Sequence, residues 1–238
     1  MDLLTLCTCC LISTVVIFAV ALILGQKRMR QVENVMRQLA ERHAAQFTPG
    51  TLILNPYVTF TERKLELRLI AALGGRDDPS HTELVAKIPT FPAESAAATG
   101  PDAVRPHLRL RPHSFSTRLT ITLGAKPYLT GDQPFDAAFD LRGQPEALLR
   151  SAFTPEIRHK LLELKANRPS VRLGRRRSWL PARPESGQPF RLRWLPPQWQ
   201  YRFYTTGLPA ELAEWEPRLQ AGRALLKAIL DWGKAVED

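Results

Sequence analysis

The sequence predicts an α+β protein: an N-terminal transmembrane helix, a helical stem, then a largely antiparallel sheet domain with two central helices and a long C-terminal helix. Three observations point there. Leu3 to Leu24 is a run of 22 residues without a charged side chain. Apolar residues then recur at spacings of three and four as far as residue 46. Beyond Gly50 short segments alternate apolar with polar, clustered before and after two helical stretches rather than interleaved with them, which is the α+β pattern.

The first segment is long enough, at about 1.5 Å per residue, to cover the roughly 30 Å hydrocarbon layer of a bilayer. A cleavable signal peptide fits less well. Ala19-Val20-Ala21 offers a small-x-small site, but only Met1 and Asp2 precede the apolar run, which continues past that site. Lys27, Arg28 and Arg30 follow the span and Asp2 precedes it, so the positive-inside tendency places the N-terminus outside and everything after Gly25 in the cytoplasm. The expected organisation is a transmembrane helix over 3–24, a stem over 25–47 and a cytoplasmic α+β domain over 48–238. In the stem, Val32, Val35, Met36, Leu39, Ala40 and His43 form an amphipathic stripe. The stripe packs on the domain or pairs two stems into a homodimer, although it is short for a coiled coil. Cys7, Cys9 and Cys10 all lie in the apolar segment, so residues 25–238 can form no disulfide.

Phe47-Thr48-Pro49-Gly50 breaks the helix. Strands are then expected over 52–60, interrupted at Pro56, over 65–69, over 81–88 and, most clearly, over 115–123; Gly74 to Pro79 reads as a turn and 89–101 as a surface loop. Helices follow at 145–152 and 155–166. The second opens with Thr154 as N-cap, Pro155 at the first helical position and Glu156 in the first turn. Short strands at 171–173, 178–180, 190–195 and 200–205 precede a closing helix at about 209–236, bent at Pro217.

A net charge of +10 with 44% apolar residues excludes a disordered chain. No Gly-x-Gly, Gly-x-Ser-x-Gly, Ser-x-x-Lys or His-Glu-x-x-His occurs, so no nucleotide loop, hydrolase elbow or zincin motif can be written. His107 and His113 lie in a repeated Arg-Pro-His. Two ligands do not make a zinc site, and the prolines suggest an edge strand. Asp132, Asp136 and Asp140 recur around Phe135 and Phe139, but Gly131 and Pro134 argue for a turn entering a strand, with the phenylalanines as core anchors and Asp132 or Asp136 tying loop amides. No metal and no cofactor are expected.

The stretch Thr130-Gly131-Asp132-Gln133-Pro134-Phe135-Asp136-Ala137-Ala138-Phe139-Asp140, with Thr154-Pro155-Glu156-Ile157-Arg158 after it, resembles a Gly-Asp-x-x-Phe-Asp-x-x-Phe block of uncharacterised bacterial single-pass membrane-anchored proteins. The resemblance covers about residues 115–175 and implies a bacterial inner-membrane location. It carries no activity and no catalytic residue.

Charge is concentrated between Arg168 and Arg202, which hold nine arginines against the single Glu185, interleaved with Trp179, Phe190, Trp194, Trp199, Tyr201 and Phe203. Arginine forks grip phosphate and carboxylate bidentately. Arg172, Arg175, Arg176, Arg177, Trp179, Arg191, Arg193 and Trp194 are therefore the candidate contact residues, for anionic lipid headgroups or a membrane protein partner, with nucleic acid least favoured. Arginine outnumbers lysine 25 to 8, so the stretch also fits a compositional bias, in which Arg191, Arg193 and Arg202 are the wet face of strands. The expectation is a non-enzymatic, membrane-tethered cytoplasmic binding or scaffold module; the alternative is a membrane-anchored, hydrolase-like enzyme with a site near His107, His113, Asp132 and Asp136.

Overall fold

The computed structural model describes residues 3–51, 54–72, 74, 79–88, 106–114, 126–176, 179–181, 192–194 and 198–235. The strand expected over 115–123, the loop over 89–101, and Arg177 and Arg191 lie outside them.

The N-terminal expectation is corrected. Residues 3–24 open one continuous helix, α1 (Leu3–Arg42), whose second half packs on the domain. Among the described residues no helix is long and apolar enough to cross a membrane. The transmembrane helix, the single-pass inner-membrane location with its N-terminus out, and the integral membrane partner are therefore not supported. In the second half of α1 the stripe packs on the domain, with Val32, Met36, Leu39 and Ala40 buried in the core. The helix closes at Ala44, whose left-handed backbone (φ 48°) lets the Ala45 N–H return to the Ala40 carbonyl at 2.8 Å. His43 Nε2 then lies 3.1 Å from Glu216 Oε1, tying the helix end to the C-terminal helix.

The α+β class itself holds. The strands are β1 (Gln46–Thr48), β2 (Tyr57–Glu62), β3 (Leu65–Ala72), β4 (His81–Ile88), β5 (His107–Pro112), β6 (Phe139–Gln144), β7 (Ser170–Arg176), β8 (Trp179–Pro181), β9 (Leu192–Trp194) and β10 (Gln198–Thr206). Eight of them form one antiparallel sheet in the order β1-β2-β3-β4-β10-β7-β5-β6, while β8 and β9 make a separate ribbon. The last strand in sequence thus lies in the middle of the sheet. β5 is not the edge strand its prolines suggested, since it pairs with β7 on one side and β6 on the other. Pro106 precedes it and Pro112 ends it, so neither ring removes an interior ladder bond.

Helices α2 (Gln133–Ala138), α3 (Glu146–Ala152), α4 (Pro155–Glu163) and α5 (Leu212–Ala235) complete the fold. Helix α4 starts as the sequence predicts, with the Thr154 hydroxyl accepting from Ile157 N. Helix α2 was expected as a turn. A capping aspartate followed by proline also starts a helix, and Asp132 Oδ1 accepts from Phe135 N at 3.2 Å. One face of the sheet is sealed by the long α5, with Trp215, Leu219, Leu225 and Ile229 inside. Helix α5 runs on through Pro217, and Gly222 lets it approach the sheet: a Cβ there would meet Leu84 Cδ2 at 2.8 Å and Phe203 Cδ1 at 3.1 Å. Tyr201 Oη donates to the Gly222 carbonyl across this contact at 2.8 Å. The buried Arg218 reaches the same layer, donating through Nη1 to Gly207 O at 2.8 Å and Thr82 Oγ1 at 3.2 Å; burial lowers its pKa, partly opposed by Glu214.

Candidate functional site

The strands of this sheet write two faces by alternation. On β10, Trp199, Tyr201 and Phe203 turn into the helix-covered core, while Gln200, Arg202 and Tyr204 turn to the other side. On β7, Val171 and Leu173 turn inward with Arg172 between them, and on β5 Leu108 and Leu110 do the same around Arg109.

Register aligns the outward arginines. Arg142 of β6 stands opposite Arg109 of β5, Arg109 opposite Arg172 of β7, and Arg172 opposite Arg202 of β10. Four arginines therefore form one row across four adjacent strands, about 4.8 Å from one strand to the next. Like charges directly opposite each other destabilise a sheet. The two ends of the row are compensated: Arg142 Nε donates to both Asp140 oxygens at 2.9 and 3.0 Å, and Arg202 Nη1 lies 3.2 Å from Glu83. The two central arginines are not, for among the described residues no carboxylate pairs with Arg109 or Arg172. Arg111, next outward on β5, lies opposite Asp140, whose oxygens are taken by Arg142. Two buried donors of the row, Arg142 Nη2 and Arg202 Nε, have no acceptor.

A cavity of about 510 Å³ opens over this row, lined by Arg109, Arg111, Arg172, Arg175 and Arg202, with Glu83 the one carboxylate among its described lining residues. Gly174 on its floor meets nothing within 4 Å of a notional Cβ, which leaves bare backbone beside Arg172. Tyr204 edges the cavity with its ring 4.5 Å from that of His81. The lining brings the outward arginines Arg109, Arg111, Arg172 and Arg202 and a little hydroxyl and amide chemistry to one place; no histidine, cysteine or aspartate is among its described lining residues. Such a surface recognises anions through charge-assisted, bidentate hydrogen bonds.

Of the residues expected to make contacts, Arg172 and Arg175 line this cavity. Arg176 ends β7 opposite Gln198. Trp179, Arg193 and Trp194 belong to the separate ribbon, where Trp179 pairs with Trp194 and Arg193 with Leu180. The expected set is thus divided between two sheets. The row also recruits Arg109 and Arg142, far outside the basic stretch. Their local signal was present, as arginine alternating with buried leucine in His-Leu-Arg-Leu-Arg-Pro, but nothing local aligns it with Arg172.

Three of the histidine and aspartate candidates, His113, Asp132 and Asp136, make bonds within the fold. Asp136 accepts from Thr130 N at 3.0 Å and Gly131 N at 3.1 Å, and Asp132 caps α2 while holding Arg158 Nε at 3.0 Å. The His113 ring bonds to the Asp136 carbonyl at 3.0 Å, and Phe135 and Phe139 stack in the core with centroids 5.0 Å apart. His107 is exposed at the opposite end of β5. Among the described residues no group of three metal-ligating side chains comes together. No protein-family model, curated protein or solved structure matches the chain.

Proposed function

We propose that this protein is a binding module that holds an anionic ligand on the arginine-lined face of its sheet. One observation carries the reading: Arg109 and Arg172 lie side by side at the centre of an in-register arginine row and have no carboxylate partner among the described residues, while the arginines flanking them do. Two adjacent, uncompensated cations cost stability unless something else serves them. A negatively charged ligand supplies what the fold does not, and the open cavity above them gives it room.

Titration calorimetry on the full chain tests this with three anions, tripolyphosphate, citrate and a hexaglutamate peptide. At least one binds at one per chain, its affinity falls as salt rises, and the pair Arg109→Glu with Arg172→Glu weakens it by at least about tenfold, since each charge-assisted bond contributes on the order of 1.5–3 kcal/mol. Reversal of Arg28 and Arg30 on the exposed part of α1 serves as the charge-matched control and leaves binding unchanged. If all three anions ignore the face, or the control pair weakens binding equally, the reading fails.

A further inference from the structure

Resting on the anion-binding reading above, we infer that the ligand is a small molecule carrying two or more linked phosphoryl groups, gripped by Arg109, Arg172 and Arg202 together. Three features of the face point there. The first is the spacing across the strands. Opposed Cβ atoms in antiparallel pairs lie about 4.5–5.5 Å apart, so neighbouring guanidinium forks converge on a single compact group. A carboxylate presents two oxygens in one plane, and both oxygens of Asp140 face a single nitrogen, Arg142 Nε. A phosphoryl group offers more acceptors and accommodates two forks at once, and a second linked group reaches the third arginine of the row.

The second feature is the direction of the row. The acidic side chains of an extended peptide recur on one face every two residues, about 6.6–6.8 Å apart. That interval matches positions along a strand, such as Arg109 and Arg111. It does not match the shorter step across the strands from Arg109 to Arg172, where the uncompensated charge lies, and on to Arg202, which Glu83 pairs. The third is size. About 510 Å³ falls within the range of small-molecule sites, whereas a protein partner needs a broader surface. The choice of arginine at every cationic position of the lining agrees, because its planar fork binds phosphate in two-point fashion where lysine offers a point charge.

The experiment is competition calorimetry on the full chain at constant ionic strength, with tripolyphosphate, inorganic phosphate and hexaglutamate as probes. Tripolyphosphate binds at one per chain, at least about tenfold tighter than either of the others. Arg172→Gln and Arg109→Gln each weaken it about tenfold, and Arg172→Lys weakens it nearly as much although the charge is kept. Far-ultraviolet circular dichroism, unchanged, and the thermal midpoint, not lowered in these exposed-site variants, show that the fold is intact. If hexaglutamate binds as tightly as tripolyphosphate through the same arginines, the phosphoryl assignment is overturned while the anion-binding reading stands. If Arg172→Lys binds like the parent, recognition is by charge alone and the assignment is likewise overturned. If neither polyanion binds, both readings fall together.

Discussion

The two faces of the sheet are built by the same strands and obey opposite rules. On the helix-covered face, Leu84, Leu108, Leu110, Tyr201 and Trp215 are shut away from water, and neighbouring side chains satisfy one another by contact. On the open face, the residues between them include a row of arginines of which only the outer members have carboxylate partners among the described residues. A sheet needs one covered face for stability, whereas its second face is left free to carry charge that stability does not require. The difference teaches where to look for function: in the side that is costly to the fold.

That contrast can be broken most severely on the covered side. Trp215 has no exposed surface, and its indole N–H donates to the Pro209 carbonyl at 3.2 Å. Trp215→Ala is expected to cost about 3–5 kcal/mol, read as a lowered midpoint in urea melts, because the cavity it leaves is walled by a long helix that cannot collapse. A loss below about 1 kcal/mol would show that α5 is loosely docked.

A smaller effect with a pH signature comes from Tyr201. Burial pushes its phenol well above the ordinary range, so the folded chain keeps it protonated where the unfolded chain does not. Its contribution is therefore fully present below about pH 10 and is lost as pH rises beyond it, by at most about 1.4 kcal/mol per pH unit. Tyr201→Phe costs about 1 kcal/mol at pH 7 through the lost bond to Gly222, and flattens the alkaline fall in stability relative to the parent. Parallel pH profiles for parent and variant would contradict the buried phenol.

The smallest effect sharpens the comparison from the open side. Arg172→Gln, set between Arg109 and Arg202, changes stability by no more than about 0.5 kcal/mol and in the stabilising direction, since it relieves repulsion between like neighbours. Chemical denaturation measures it directly. A clear loss would mean that Arg172 has a structural partner and is not held for a ligand.

Much of the architecture was legible because its signals are local. The strand over 81–88 follows from alternation alone, and α4 from a cap, a proline and an acid in consecutive positions. Helix α2 shows how a local signal divides: Asp132 and Pro134 serve a turn and a helix start equally well, and the buried Phe135 and Ala138 decide for the helix. The apolar opening segment illustrates the reverse. Its composition suggested a membrane span, yet it is continuous with a helix whose Val32, Met36 and Leu39 are committed to the core, and no helix among the described residues meets the length and hydropathy of a crossing. The basic stretch was legible as charge but not as a site, because linear proximity grouped Arg172 with Trp179 and Arg193, which pair in a different sheet.

What the sequence determined by itself is which side chains share a face within each element, since a period of two along a strand is a property of adjacent residues. Only the tertiary structure decided which strands are neighbours and in what register, placing β10 between β4 and β7 and β7 beside β5. That choice depends on how the helices share out the sheet, α1 against β1 and β2, α5 against β10, and α2 and α3 against β6, a sum over distant contacts that no local pattern encodes. It is the reason Arg109, Arg172 and Arg202, scattered along the chain, meet in one row.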